Sequence, residues 1–156
     1  MTANVALKKL IADVVALVPP ASINSPAGPR QMDAVQQKLG VRFPEDVLAF
    51  YSVGDGFEEP TDFDHGGIQL WRLSAWQPVS QVCSASPSFE REPIVFADHG
   101  LSAWWYALDF EHASGDQVPV VFVGGNRAPF QVFDSFSSFL QGMLADDAFL
   151  YGGPAA

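Results

Sequence analysis

VQQKLGVRFPEDVLAFYSVGDG, residues 35–56, is the stretch on which the fold is decided. Leu39-Gly40 reads as a helix end, because glycine readily takes the left-handed conformation that closes one. Working back, Met32, Val35 and Leu39 fall on one face of a helix over 30–39. Working forward, Pro44 suits the first turn of the next helix, where its missing N–H goes unnoticed. Glu45 and Asp46 then set negative charge against the positive end of that helix's dipole. Val47, Phe50 and Tyr51 mark its buried side, and Asp55-Gly56 turns the chain out of the helical pattern.

Upstream, Leu7, Leu10, Ile11, Val14 and Val18 recur at helical spacing and predict a first helix over 4–18, stopped by Pro19-Pro20. Lys8 and Lys9 followed by LIADVVALV imitate a secretory signal, but Asp13 interrupts the apolar run, so the amphipathic helix is the reading taken. Downstream, the polar loop GFEEPTDFDHGG leads into a strand IQLWRL at 68–73. The segment 74–92, with Pro78 and Pro87, reads either as a short helix around Val79 to Ser84 or as irregular chain. PIVFAD, a turn at His99-Gly100 and LSAWWYALDF then form an antiparallel pair. In the second of these Trp104, Tyr106, Leu108 and Phe110 share one face, and Ala103, Trp105 and Ala107 the other. Both faces are apolar, which predicts a central strand. After a turn over Glu111 to Gln117 come a strand VPVVFV at 118–123, closed by Gly124-Gly125-Asn126, and a short strand PFQVF at 129–133. A last helix, N-capped by Asp134 or Ser135, carries the stripe Phe136, Phe139, Leu140, Met143 and Leu144. The expected architecture is α+β: N-terminal helices, a mainly antiparallel sheet, and a C-terminal helix over one face. No repeat or linker divides residues 1–156, so they form a single domain, with 151–156 a loose tail.

Composition narrows the function. With 48% apolar and 13% aromatic residues in 156, the chain has material for a dense core and needs no disulfide or metal staple. Eight Lys+Arg against 18 Asp+Glu leave a net charge of -10. Nucleic-acid binders draw their affinity from cationic side chains, so nucleic acid is excluded as a partner, and anionic membrane surfaces with it. The fitting macromolecular partner is basic. Cys83 is alone and cannot form an intramolecular disulfide, which fits a reducing cytoplasm.

Between Glu45 and Asp64 lie seven acids, Glu45, Asp46, Asp55, Glu58, Glu59, Asp62 and Asp64, and no Lys or Arg. This segment reads as a solvated loop with two helix-dipole acids, or as a contact for a basic partner. Asp62-x-Asp64 before Gly66-Gly67 superficially imitates a calcium loop but lacks the further acids that one needs. His65, His99 and His112 form no metal array, so no metal or other cofactor is expected. Cys83 has no evident activating histidine and reads as inert, and Gly124-Gly125-Asn126 lacks the pattern of a phosphate loop. No paired carboxylates, triad or metal set points to an enzyme. Trp71, Trp76, Trp104 and Trp105 are either core or binding anchors; Trp104 reads as core, and Trp105, on the opposite face, as the floor of an exposed sheet.

Residues 35–56 resemble the signature of the SUKH superfamily (Smi/Knr-like): Leu39-Gly40, Phe43-Pro44, the helix through Tyr51, and Asp55-Gly56 occur in the family's order. PIVFADHGLSAWWYALDF resembles its sheet hairpin, and PVVFVGG with VFDSFSSFLQGML its last strands and closing helix, so the likeness spans residues 30–145. It departs at Gln36, where the family usually has Glu, and at Asp55, where Asn is common. The resemblance implies a non-catalytic binding protein. Bacterial members are mostly immunity proteins that block a cognate toxin, commonly one acting on nucleic acid. Fungal relatives are regulatory interaction proteins of cell-wall assembly, and a regulatory or scaffold module is therefore the alternative. The charge agrees independently with an anionic plug for a cationic cleft. Its partner-binding residues would be Asp55, Glu58, Glu59, Asp62, Asp64, Trp71 and Trp105.

Overall fold

Three helices come first, and each ends where the sequence withdraws its support. α1 (Thr2–Val15) buries Ile11 and Val14 against the rest of the chain. Asp13, the interruption in its apolar run, is instead half-buried and accepts a hydrogen bond from Lys9 at 2.8 Å. The helix stops at Val15, short of the expected Val18, and the chain reaches Pro19-Pro20 through a turn that still buries Val18.

α2 (Pro29–Leu39) closes as expected: Gly40 has φ +67°, its N–H donates to the Gln37 carbonyl at 3.3 Å, and the Val41 N–H donates to the Gln36 carbonyl at 3.1 Å. Gln36 also ties α2 to the next helix, because its side-chain oxygen accepts the Phe43 N–H at 2.7 Å while its Nε2 donates to the Met32 carbonyl. A glutamate carboxylate accepts that N–H equally well but cannot donate to the Met32 carbonyl, so the departure from the family pattern preserves the tie to Phe43 and adds the longer bond within α2. Gln36→Glu is expected to change stability by less than about 0.5 kcal/mol and Gln36→Ala to lower it by about 1 kcal/mol, since a part-buried N–H then loses its acceptor. Urea unfolding of the two variants checks this, and equal losses would contradict it.

α3 spans Glu45–Tyr51. Pro44 is not in the first turn but caps it, with φ -67° and ψ 163°, and its carbonyl accepts the Leu48 N–H at 3.1 Å. Asp46 lies in the first turn as read, yet its Oδ2 also accepts from the Ser137 N–H and hydroxyl, each at 2.9 Å, at the start of the last helix. One carboxylate thus serves the N-terminal ends of two helices.

The computed structural model describes residues 2–83, 90–99, 103–124 and 128–153. Among them, six antiparallel strands form one sheet: β1 (Ile68–Leu70), β2 (Gln77–Pro78), β3 (Ile94–His99), β4 (Trp104–Leu108), β5 (Val120–Gly124) and β6 (Phe130–Phe133). The order is β1-β3-β4-β5-β6, with β2 pairing β3 beyond the end of β1. β4 is central, as its two apolar faces required. One face turns Tyr106 and Leu108 under the helices; the other turns Ala107 and Trp105 toward Val79, Val95, Val121 and Val123.

α4 (Phe136–Ala145) is capped by Ser135, whose hydroxyl accepts the Ser138 N–H at 3.1 Å. It lies on the first face of the sheet, with the Phe139 ring 5.2 Å from Phe96, 4.9 Å from Tyr106 and 5.7 Å from Phe133. The result is a single α+β domain.

The strand expected over 68–73 ends at Leu70, because the chain then turns over Leu73–Ala75, where Asp55 rather than a strand takes the Leu73 N–H. The short helix considered near Val79 is one turn, Val79–Gln81. Residues 84–89, the turn after His99, the glycine turn after Gly124, and 154–156 of the expected tail lie outside the described residues. Of that tail, Tyr151 closes a turn over Ala148–Tyr151, whose Leu150 is buried and whose Leu150 carbonyl accepts from the Tyr106 hydroxyl. No helix among the described residues is long and apolar enough to cross a membrane.

Candidate functional site

The acidic segment is divided by the fold. Asp55, only 8% exposed, is turned inward: its Oδ1 accepts the Leu73 N–H at 2.8 Å and its Oδ2 the Gln31 amide at 3.2 Å. Its backbone is held on both sides by Asn24, whose carbonyl accepts the Asp55 N–H and whose amide donates to the Asp55 carbonyl. Gly56 follows with φ +77°, and a Cβ there would lie 2.6 Å from the Trp71 carbonyl carbon, so only glycine lets the two segments approach. Asp55 and Asp46 therefore act within the fold.

Glu58, Glu59, Asp62 and Asp64 are brought to the surface along one loop. Buried Thr61 fixes that loop to the start of β1: its N–H donates to the Ile68 carbonyl, its hydroxyl accepts the Ile68 N–H, and the same hydroxyl donates to the His65 carbonyl, each at 2.9 Å. Glu58 pairs with Arg72 at 2.5 Å, with each side chain about half exposed, and Asp62 holds the His65 imidazole at 2.9 Å. Such surface pairs are worth at most about 1 kcal/mol, so these acids remain available for contact.

The two tryptophans lie elsewhere. Trp105 is half-buried on the second sheet face, in a cross-strand row with Asp98 and Val123. Gln69 pairs with Asp98 in the same row, and its amide donates to the Phe57 and Glu58 carbonyls, which joins this row to the acidic loop. Trp71 is half-buried where the two apolar clusters meet, and its carbonyl accepts from the Tyr51 hydroxyl and the Trp76 indole. Trp76 is core, and Trp104 packs half-buried against the first-face cluster.

Three surface aromatics escaped the sequence reading: Phe63, 69% exposed, and Tyr151 and Phe149 at 43% and 42%. For Phe63 a signal was present, an aromatic set between two aspartates in a polar loop. Tyr151 gave none: Asp146 is only five residues before it, but Phe63, whose carbonyl its hydroxyl also approaches, is 88 residues away. Its hydroxyl donates to Asp146 at 2.5 Å and lies 3.4 Å from the Phe63 carbonyl. Partial burial, then the bond to Asp146 and the charges of Asp146 and Asp64, push its pKa up to about 12. His99 is buried beside them, its ring 4.2 Å from Trp104 and 6.2 Å from Phe63, and burial pushes its pKa below the ordinary value of 6.5.

Two further constellations were not foreseen. Asp109, Glu111 and His112 offer ligand atoms all within 4.8 Å of one another at an exposed turn, where Asp109 Oδ2, accepting from His112 Nδ1 at 2.7 Å, raises the His112 pKa. A cavity of about 400 Å3 lies between Arg42, Pro44, Arg91 and Phe110, with the Arg91 guanidinium 5.8 Å over the Phe110 ring. What the acidic loop can do chemically is present carboxylates and rings to a partner.

No curated protein matches the chain. The SMI1 / KNR4 family (SUKH-1) matches residues 26–142, from the loop before α2 into α4 and so across every element that the helix pair, the Asp55-Gly56 turn and the sheet contribute; the chain belongs to this family.

Proposed function

We propose that the protein is a non-catalytic immunity protein that neutralises a cognate toxin, basic and acting on nucleic acid, by stoichiometric binding in the cytoplasm. The observation that carries this reading is the net charge of -10, with Glu58, Glu59, Asp62 and Asp64 exposed on one loop fixed to the sheet edge. An enzyme that holds phosphate needs a cationic cleft, and an anionic surface is both drawn to such a cleft and able to fill it. Family membership supports a protein-binding role and accommodates a regulatory module as well. The two differ in gene context, since an immunity gene stands beside the gene of its toxin. The test is titration of the toxin encoded next to this gene. Toxic activity is expected to vanish near one molar equivalent, and full activity at a large excess of the protein would overturn the reading.

A further inference from the structure

Phe63 and Tyr151 are neighbours at the surface: the Tyr151 hydroxyl lies 3.4 Å from the Phe63 carbonyl, and the two residues are 69% and 43% exposed. Both are anchored from behind. The Phe63 ring rests on Gly67, where a Cβ would approach to 3.0 Å, and lies 6.2 Å from His99. Tyr151 is 6.3 Å from Trp104, whose ring lies tilted 4.2 Å from His99, and its hydroxyl is fixed by Asp146. Gly66 and Gly67, with φ +89° and +56°, make the turn that presents Phe63. The carboxylates around this pair are Asp62, Asp64 and Asp146, and neither residues 45–71 nor 128–156 contain a Lys or Arg. A wholly apolar occupant would strip water from these acids without replacing it, which is costly. A second copy of the chain would bring another charge of -10 to the contact. A cation on an apolar stem satisfies rings and acids together, because the ring face attracts positive charge. The planar guanidinium stacks on rings and pairs with carboxylates better than a compact ammonium does.

We propose that Phe63 and Tyr151 form an open platform that takes an arginine side chain of a basic partner protein, its guanidinium against the rings and its charge answered by Asp64 and Asp146. This rests on the reading that the protein binds a basic protein, and it names the chemistry of one contact.

The probe is acetyl-Gly-Arg-Gly-amide, titrated into the 15N-labelled full chain, with the citrulline peptide as its uncharged counterpart. Saturable shifts are expected at Phe63, Asp64, Asp146 and Tyr151 with arginine and not with citrulline. Phe63→Ala, which removes an exposed ring and leaves the core intact, is expected to weaken the arginine peptide roughly tenfold, and Asp64→Asn severalfold. Shifts spread evenly over all acids, equal shifts with citrulline, or unchanged binding by Phe63→Ala would each overturn the platform. So would dimerisation of the native protein that Phe63→Ala abolishes. A second arm uses the neighbouring toxin. Localised arginine binding without neutralisation would refute the proposed function and leave the platform standing, whereas neutralisation by a protein that ignores the arginine peptide would refute the platform alone.

Discussion

Phe139→Ala is expected to destabilise the protein by about 3–5 kcal/mol, the range for removing a fully buried phenylalanine. Phe139 is inaccessible to solvent, and its ring meets Phe96 on β3, Tyr106 on β4 and Phe133 on β6, so one side chain joins α4 to strands across the sheet. The neighbours cannot close the gap readily. Tyr106 is pinned through its hydroxyl to the Leu150 carbonyl and the Trp104 indole, and Phe96 sits at the irregularity in register between Val95 and Ala97. A cavity should therefore persist, and a lasting cavity puts the cost toward the upper end. Phe149→Ala, at a ring 42% exposed, is the control and should cost less than about 1 kcal/mol. Urea unfolding compares the two, and a loss below about 1 kcal/mol at Phe139 would mean that α4 does not hold the sheet as described.

The helices were legible because their signals are local. Gly40 announced the end of α2, and the stripe from Phe136 to Leu144 announced α4. β4 was legible as central because both of its faces are apolar. What failed depended on partners far along the chain. The strand at Ile68 ends early because Asp55, eighteen residues before Leu73, captures the Leu73 N–H. The same long-range bond turns Asp55 inward, which no run of acids in a sequence reveals. Glu58, Glu59, Asp62 and Asp64 did reach the surface, whereas Trp71 and Trp105 lie apart from them on or beside the second face. Tyr151 was missed because its place is set by Asp146 and Phe63, the latter 88 residues away.

The combined variant Glu58→Gln, Glu59→Gln, Asp62→Asn and Asp64→Asn should slow association with the proposed toxin by on the order of 10- to 100-fold at low salt, since steering by charged surfaces raises on-rates by that order or more. All four side chains are exposed, and the pairs they leave, Arg72 and His65, lie at the surface, so the fold should survive. Dissociation should change less, and through Asp64 chiefly, because charges outside a direct contact act mainly on encounter. An unchanged on-rate in a folded variant would move the contact away from the loop at 57–67.

Stopped-flow measurement of binding between the native protein and its proposed toxin across ionic strength tests the central claim most directly. The on-rate should fall steeply as salt rises from low to physiological concentration, because a partner as basic as the proposal requires would be drawn to this anionic protein over distances that salt screens. A rate independent of salt, or one that rises with it, would contradict an anionic protein acting against a cationic partner.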